Sequence, residues 1–432
     1  MVENKDMEEL KEGWRKVKLL DYYEVTNGLS KNKSEFGFGY PFLTFKEVFN
    51  NYFLPENLVN LANSTVKERE KCSIKRGDIF ITRTSETMEE LGITAVALKD
   101  YPNATFNGFT KRLRPKSHVE ISPEFISFYL KSKEFRNQIQ SFSSLTTRAS
   151  LNNEMLEKLE LIIPDMQKQK EIAKILKNLY DKIEINNEMN KTLEEMAQTL
   201  FKRWFIDFDF PNENGEPYRS SGGKMVDSEL GEIPEGWKIG KIGDLIRVQN
   251  GYAFKSKDFL EKGTVGIIKI KNISDRKVDI NKSDFISEEL AKAIDKKFFI
   301  QSSSILIAMT GAEVGKVGIV PEHNKKLYLN QRVGKFEELI NGGKEFSYFY
   351  LNKEETQELI IAKSAGSAQP NISSKGIEEL KIVLPSIKLL SEFEKNIGKS
   401  LKKIALNLNE INILTEIRDT LLPKLMSGEI EM

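Results

Sequence analysis

The sequence predicts an α+β protein built as two copies of one plan. Each copy is a mixed domain followed by a long helix, and the two helices pair as a coiled coil. Three observations carry this reading. The first is internal repetition. Gly13-Trp14 returns as Gly236-Trp237 at an offset of 223 (236 − 13), and Val25-Thr26-Asn27-Gly28 returns as Val248-Gln249-Asn250-Gly251 at the same offset. Leu159–Pro164 returns as Leu380–Pro385 at an offset of 221 (385 − 164), as does Phe128-Tyr129-Leu130 as Phe349-Tyr350-Leu351. The second is the stretch Met166–Asp209, which holds no Pro or Gly between the stops at Pro164 and Pro211. Its apolar residues Ile172, Ile175, Leu176, Leu179, Ile183, Leu193, Met196, Ala197, Leu200 and Trp204 step by threes and fours, one stripe on one helix face. The third is a matching stretch from Ser386 to Leu422, with Leu390, Phe393, Ile397, Leu401, Ile404, Leu408, Ile411 and Leu414 in the same pattern. A helix of such length needs a partner for its apolar face, and each stretch supplies one for the other. Packing of each helix on its own domain stays open as the alternative.

In chain order this divides the protein into a first mixed domain (1–165), a central long helix (166–210), a linker (211–235), a second mixed domain (236–385) and a C-terminal long helix (386–432). In the first domain Gly77–Thr82 reads as a strand leaving a turn, with Ile93–Ala97 as its neighbour. Ser304–Met309 and Val317–Val320 are the counterparts. Pro123–Arg136 and Lys344–Ile361 read as short helices. The linker is rich in Gly, Pro, Ser and Asn. Asn186, Asn187 and Asn190 interrupt the first stripe, and Asn407, Asn409 and Asn412 lie in the second. Asn in a helix seam costs stability and fixes register.

Composition excludes several classes. A chain of 432 residues with 39% hydrophobic content can build more than one core. One cysteine, Cys72, allows no disulfide framework and no cysteine metal site, which fits a reducing, cytoplasmic setting. Met1–Glu12 is charged and lacks the apolar run of a signal peptide, and no apolar stretch is long enough to span a membrane. Net charge is +1, from 65 basic and 64 acidic residues, so any nucleic acid must be held by local patches.

Catalytic motifs are missing. Gly311–Val317 imitates a phosphate loop, but it is one residue short and has Val317 where a hydroxyl should hold magnesium. Phe36-Gly37-Phe38-Gly39 has neither the strand before it nor the helix after it that a dinucleotide site requires. No Asn-Pro-Pro-aromatic or Asp-Pro-Pro-aromatic run occurs. His118 and His323 have no neighbouring ligands, so no metal is expected.

Several polar groups have the chemistry to hold nucleic acid. Arg112, Arg114 and Lys116 alternate on one face of an extended stretch, with Lys111 on the other. Thr82, Arg83 and Thr84 leave the first strand where Thr310 leaves its counterpart, and Lys316 follows in the glycine-rich turn. Thr147 and Arg148 lie in a small polar loop whose counterpart carries Gln369 and Asn371. Lys269, Lys271, Gln331 and Arg332 add reach in the second copy. Arg suits guanine or phosphate, and Gln or Asn suits adenine. For each residue alone, a solvated loop is the plainer explanation.

Taken together, these features resemble the specificity subunit of type I restriction–modification enzymes over nearly the full length. The likeness rests on the Gly-Trp openings, Pro234-Glu235-Gly236-Trp237, the Leu-Pro ends before each helix, Ala197–Phe208, and the tail Leu421–Ile430. The resemblance implies two target recognition domains, each reading half of a split DNA site. It implies that the helices form an antiparallel pair whose length fixes the gap between half-sites. It further implies two modification (methyltransferase) subunits that bind S-adenosylmethionine and methylate adenine, with no cofactor in this chain. A restriction (motor and nuclease) subunit can join them. Phe201, Trp204, Phe205, Leu421, Leu422 and Leu425 are then candidates for docking those subunits. Arg148-Ala149 against Gln369-Pro370 suggests that the two halves read different bases. Two rivals stand beside this reading: a coiled-coil scaffold that binds protein without DNA specificity, and a self-sufficient methyltransferase or nuclease, which the missing motifs disfavour.

Overall fold

The computed structural model describes residues 11–85, 87, 90–142, 149–364 and 370–430. They form two units, Met1–Asp181 with Thr415–Met432, and Lys182–Leu414. The repeated motifs that open and close each copy meet as strand pairs. In the first unit Trp14–Lys18 runs antiparallel to Glu160–Pro164, with Trp14 opposite Pro164. In the second, Lys238–Lys241 runs antiparallel to Lys381–Leu384, with Lys238 opposite Leu384. Gly13 and Gly236 stand at φ of 81° and 86°, a left-handed turn that glycine takes without steric cost.

The main sheets share an order. The first places Tyr23–Asn27, Thr110–Pro115, Ile79–Thr82 and Thr94–Val96 side by side, all antiparallel. The second places Ile246–Asn250, Val333–Glu338, Ile305–Ala308 and Val317–Ile319 in the same sequence, then adds Lys277–Val278 and Ile273–Ser274. The strands Ile79–Thr82 and Ile305–Ala308 are buried at every position, as their unbroken apolar runs require. Side chains alternate between faces. Ile79 and Ile81 join one core with Phe125, Phe128 and Phe135, while Phe80 faces another with Leu43, Val48 and Phe106. Ile305 and Ile307 likewise face the helical core, and Leu306 and Ala308 the opposite one.

Each short helical stretch is two helices. Pro123–Tyr129 and Lys133–Ser141 are separated at Ser132, whose hydroxyl accepts from Phe135 N and caps the second. Gly343–Leu351 and Glu354–Ser364 repeat the arrangement. Within the expected linker, Met225–Ser228 and Gly231–Pro234 form a hairpin. Its alternating Val226 and Ile233 lie within a polar composition that masked them.

The long helices span Met166–Phe205 and Ile387–Met426, 40 residues each, and each contributes to both units. In the first unit Ile172, Ala173 and Leu176 share a core with Leu422, Leu425 and Met426. In the second unit the pair is antiparallel. Asn186 Nδ2 donates to Glu410 Oε2 at 2.9 Å, Asn407 Nδ2 donates to Asn190 Oδ1 at 2.9 Å, and Phe201 meets Phe393 with ring centroids 6.1 Å apart. Asn186 and Asn407 are buried, and their cross-helix bonds tie one register, since any slip would strand a buried amide.

The docking candidates lie within or against the chain's own cores. Phe201, Trp204, Phe205, Leu422 and Leu425 are buried, and Leu421 is half-buried. Phe201 packs on Phe205, Phe346, Phe349 and Phe393. Leu421, Leu422 and Leu425 pack in the core of the first unit. The apolar partner these residues require is supplied by the chain itself. Among the described residues, no helix is long and apolar enough to cross a membrane.

Candidate nucleic-acid interface

In each unit three segments converge where the buried central strand ends. In the first, Arg83 N donates to Phe109 O at 2.9 Å, and Leu151 N donates to Arg83 O at 2.8 Å. Thr84-Ser85 then pairs antiparallel with Ala149-Ser150. In the second, Met309 N donates to Arg332 O at 3.0 Å, and Ile372 N donates to Met309 O at 3.0 Å. Thr310 bridges Asn371, with Thr310 Oγ1 donating to Asn371 Oδ1 at 2.9 Å. The strand exits and the described ends of the polar loops, Ala149-Ser150 and Asn371, are therefore neighbours in the two copies.

The repeated Asn-Gly motif lies beneath this convergence. A Cβ on Gly28 would sit 2.0 Å from Asn107 O, and one on Gly251 would sit 2.2 Å from Asn330 O. Only glycine allows that approach. Asn107 and Asn330 each begin a tight turn that carries the third segment. In the second unit, Asn330 N also donates to Ile268 O at 3.1 Å, which sets the turn beside the start of Lys269-Ile270-Lys271.

The sequence candidates divide by what their side chains touch. Arg83 and Thr84 are half-buried at the exit, while Lys271, Lys316, Gln331, Arg332 and Asn371 are exposed. Lys269 and Lys271 pair with Asp284 at 2.7 and 2.9 Å. Burial pushes the Asp284 carboxyl up, but bonds from these two lysines outweigh it and hold the group below its ordinary pKa. Lys316 pairs with Glu313. Thr147, Arg148 and Gln369 lie outside the described residues.

The strand of alternating cations is a correction. Arg112, Arg114 and Lys116 do share a face, but Arg112 is buried and Arg114 and Lys116 are half-buried, each bonded to acceptors of the chain itself. Arg114 forks onto the wholly buried Asp78, Nε donating to Oδ1 at 2.7 Å and Nη2 to Oδ2 at 2.6 Å. Hydrogen bonding to the Asp78 carboxylate raises its pKa, and burial acts against it. Arg112 donates to Ser73 O, Lys71 O and Thr26 Oγ1 at 2.6, 3.2 and 3.0 Å. Burial pushes its pKa down. Lys116 donates to Leu20 O at 2.8 Å. Lys111 is also buried, donating to Asn153 Oδ1 at 2.7 Å and Asn27 Oδ1 at 3.3 Å; burial, then the charge of Arg83, depresses its pKa. Thr82 is wholly buried and its hydroxyl donates to Glu90 O at 3.1 Å. Thr310 is buried as well. These six side chains hold the fold together.

Phe109 was missed from sequence. It follows Asn107-Gly108, a turn signal, and it is 64% exposed. The repeat offset of 223 that relates Gly28 to Gly251 also relates Phe109 to Arg332 and would have found it.

Comparison with known proteins bears on both copies. A family model of the type I restriction modification DNA specificity domain matches residues 11–195 and again residues 234–419. The type I restriction enzyme MjaIX specificity subunit of Methanocaldococcus jannaschii is 28% identical over 441 residues, covering 99% of this chain and 96% of the relative. The type I restriction enzyme HindI specificity subunit of Haemophilus influenzae is 27% identical over 469 residues, covering 95% and 100%. The solved type I restriction–modification S subunit from M. genitalium shares the fold, with a TM-score of 0.57 at 18% identity over 98% of each chain. With one match over each copy, the chain belongs to the type I restriction modification DNA specificity family and carries two of its specificity domains.

Proposed function

We propose that each domain reads one half of a split, asymmetric DNA site. As a type I specificity subunit, the chain is a recognition component rather than a catalyst, and it works with DNA and modification subunits. The observation that carries the split-site reading is the three-segment convergence, built twice on the same backbone but dressed with different side chains. Two weak readers on one chain bind as a bivalent whole, because the second contact forms at raised effective concentration. Arg83, Thr84, Gln331, Arg332 and Asn371 are the described candidates for bases or phosphates, and Thr147, Arg148 and Gln369 belong to the same loops by sequence. Lys269, Lys271 and Lys316 are suited to phosphate.

Two modification subunits would assemble on this chain, bind S-adenosylmethionine and transfer the methyl group. Motor and nuclease subunits would join for restriction. The setting is the cytoplasm, where the DNA lies. The test is methylome sequencing of cells with and without this gene, its modification partner co-expressed. A two-part motif that disappears with the gene is the expected result. An unchanged methylome, with the partner shown to be active, would favour the protein scaffold instead.

A further inference from the structure

The turns Asn107–Thr110 and Asn330–Val333 are one frame with two contents. In the first, Thr110 N donates to Asn107 O at 3.2 Å and Phe109 N donates to Asn107 Oδ1 at 2.9 Å. In the second, Val333 N donates to Asn330 O at 2.9 Å and Arg332 N donates to Asn330 Oδ1 at 3.3 Å. Both turns are seated on a glycine that cannot carry a side chain, and both are tied through the third residue's carbonyl to the strand exit. Leu29 bridges Asn107 on the near side, as Tyr252 bridges Asn330. Such a frame fixes where its two central side chains stand.

Those side chains differ in kind. The first turn presents Phe109 alone. Its neighbour is Gly108, where a Cβ would lie 2.7 Å from Ser30 Oγ. The second turn presents Gln331 and Arg332, both exposed. Among the described residues, neither side chain makes a hydrogen bond or ion pair, and the Phe109 ring meets no other ring. A phenyl ring left 64% exposed on a rigid turn contributes little to a core. An arginine and a glutamine on an equivalent rigid turn are pre-organised donors and acceptors without a protein partner.

We propose that this turn is the base-reading element of each domain, a constant frame whose central residues set the half-site. The inference rests on the split-site reading above. Arg332 would take guanine through O6 and N7, and Gln331 adenine through N6 and N7. Phe109 has no donor or acceptor, so it reads by apolar contact with the thymine methyl group.

The test compares methylated motifs produced by variants of the full chain co-expressed with its modification subunits. Arg332→Ala should relax one base of one half-site, with discrimination there falling about tenfold or more, and leave the other half-site unchanged. Phe109→Ala should relax one position in the other half-site only. Arg332→Lys keeps the charge but loses the planar fork, so it should weaken guanine discrimination, less than Arg332→Ala does, while retaining affinity for unrelated duplex DNA. Phe109→Ser, which also removes the apolar contact, serves if the alanine variant fails to fold. An unchanged motif in Arg332→Ala and in the folded Phe109 variant overturns the inference, as does an even loss of methylation at all sites by a folded variant, which is the signature of phosphate contact. Failure of the wild type to yield any two-part motif would instead overturn the split-site reading.

Discussion

Lys131 shows how far burial can move a single group. Its ammonium donates to Asn51 O at 2.7 Å and lies 4.0 Å from the Tyr52 ring centre, while Arg418 approaches the same ring at 5.4 Å. Burial, then the charges of Arg418 and Arg136, bring its pKa down to about 7 from the ordinary 10.5. Between those values the unfolded chain holds more protons than the folded one, so stability rises with pH across that window and is flat below it. Lys131→Met removes this contribution. Denaturant unfolding at about pH 6 and about pH 9.5 should show the wild type gaining on the variant at the higher pH. A difference that is the same at both would refute the shift. The same scale explains why the cationic strand misled. The residue types of Arg112 and Arg114 are plain in sequence, but a fork that fits a phosphate also fits Asp78, and the carboxylate is 36 residues away. Only the crossing of strands brings it there.

At the scale of elements, periodicity was the reliable guide. The stripes on both long helices were legible in the main because apolar spacing is a local property, and Asn186 and Asn407 lie buried where the stripe breaks, but Ile175, Met196 and Asn187 are exposed. The hairpin Met225–Pro234 was not legible, since its turn lacks the Asn-Gly signal and its strands are short. Sequence alone offers the aromatic end of the first helix as a docking surface, because exposed and buried aromatics look alike there. Phe201→Ala should destabilise the isolated chain by about 3–5 kcal/mol, read as a lower denaturant midpoint without any partner present. Unchanged stability with weakened subunit assembly would restore the docking role.

For the molecule as a whole, helix length should set target spacing. A seven-residue insertion between Lys182 and Lys191, matched by one between Ile404 and Glu410, keeps each apolar stripe within about 20° of its phase. It adds about 10 Å of helix, the rise of about three base pairs. The methylated motif should keep both half-sites and gain about three unspecified bases between them; an unchanged spacing would end the ruler idea. Duplication, helix length and the absence of catalytic motifs were set by the sequence alone, because repetition and periodicity lie along one dimension and need no fold to be seen. The tertiary structure decided which polar groups are spent inside and which are presented. Arg114 and Phe109 lie five residues apart, yet one is consumed by a buried carboxylate and the other stands exposed on a turn. That choice depends on which distant segments pack against each side chain, and packing is settled only when the strands meet.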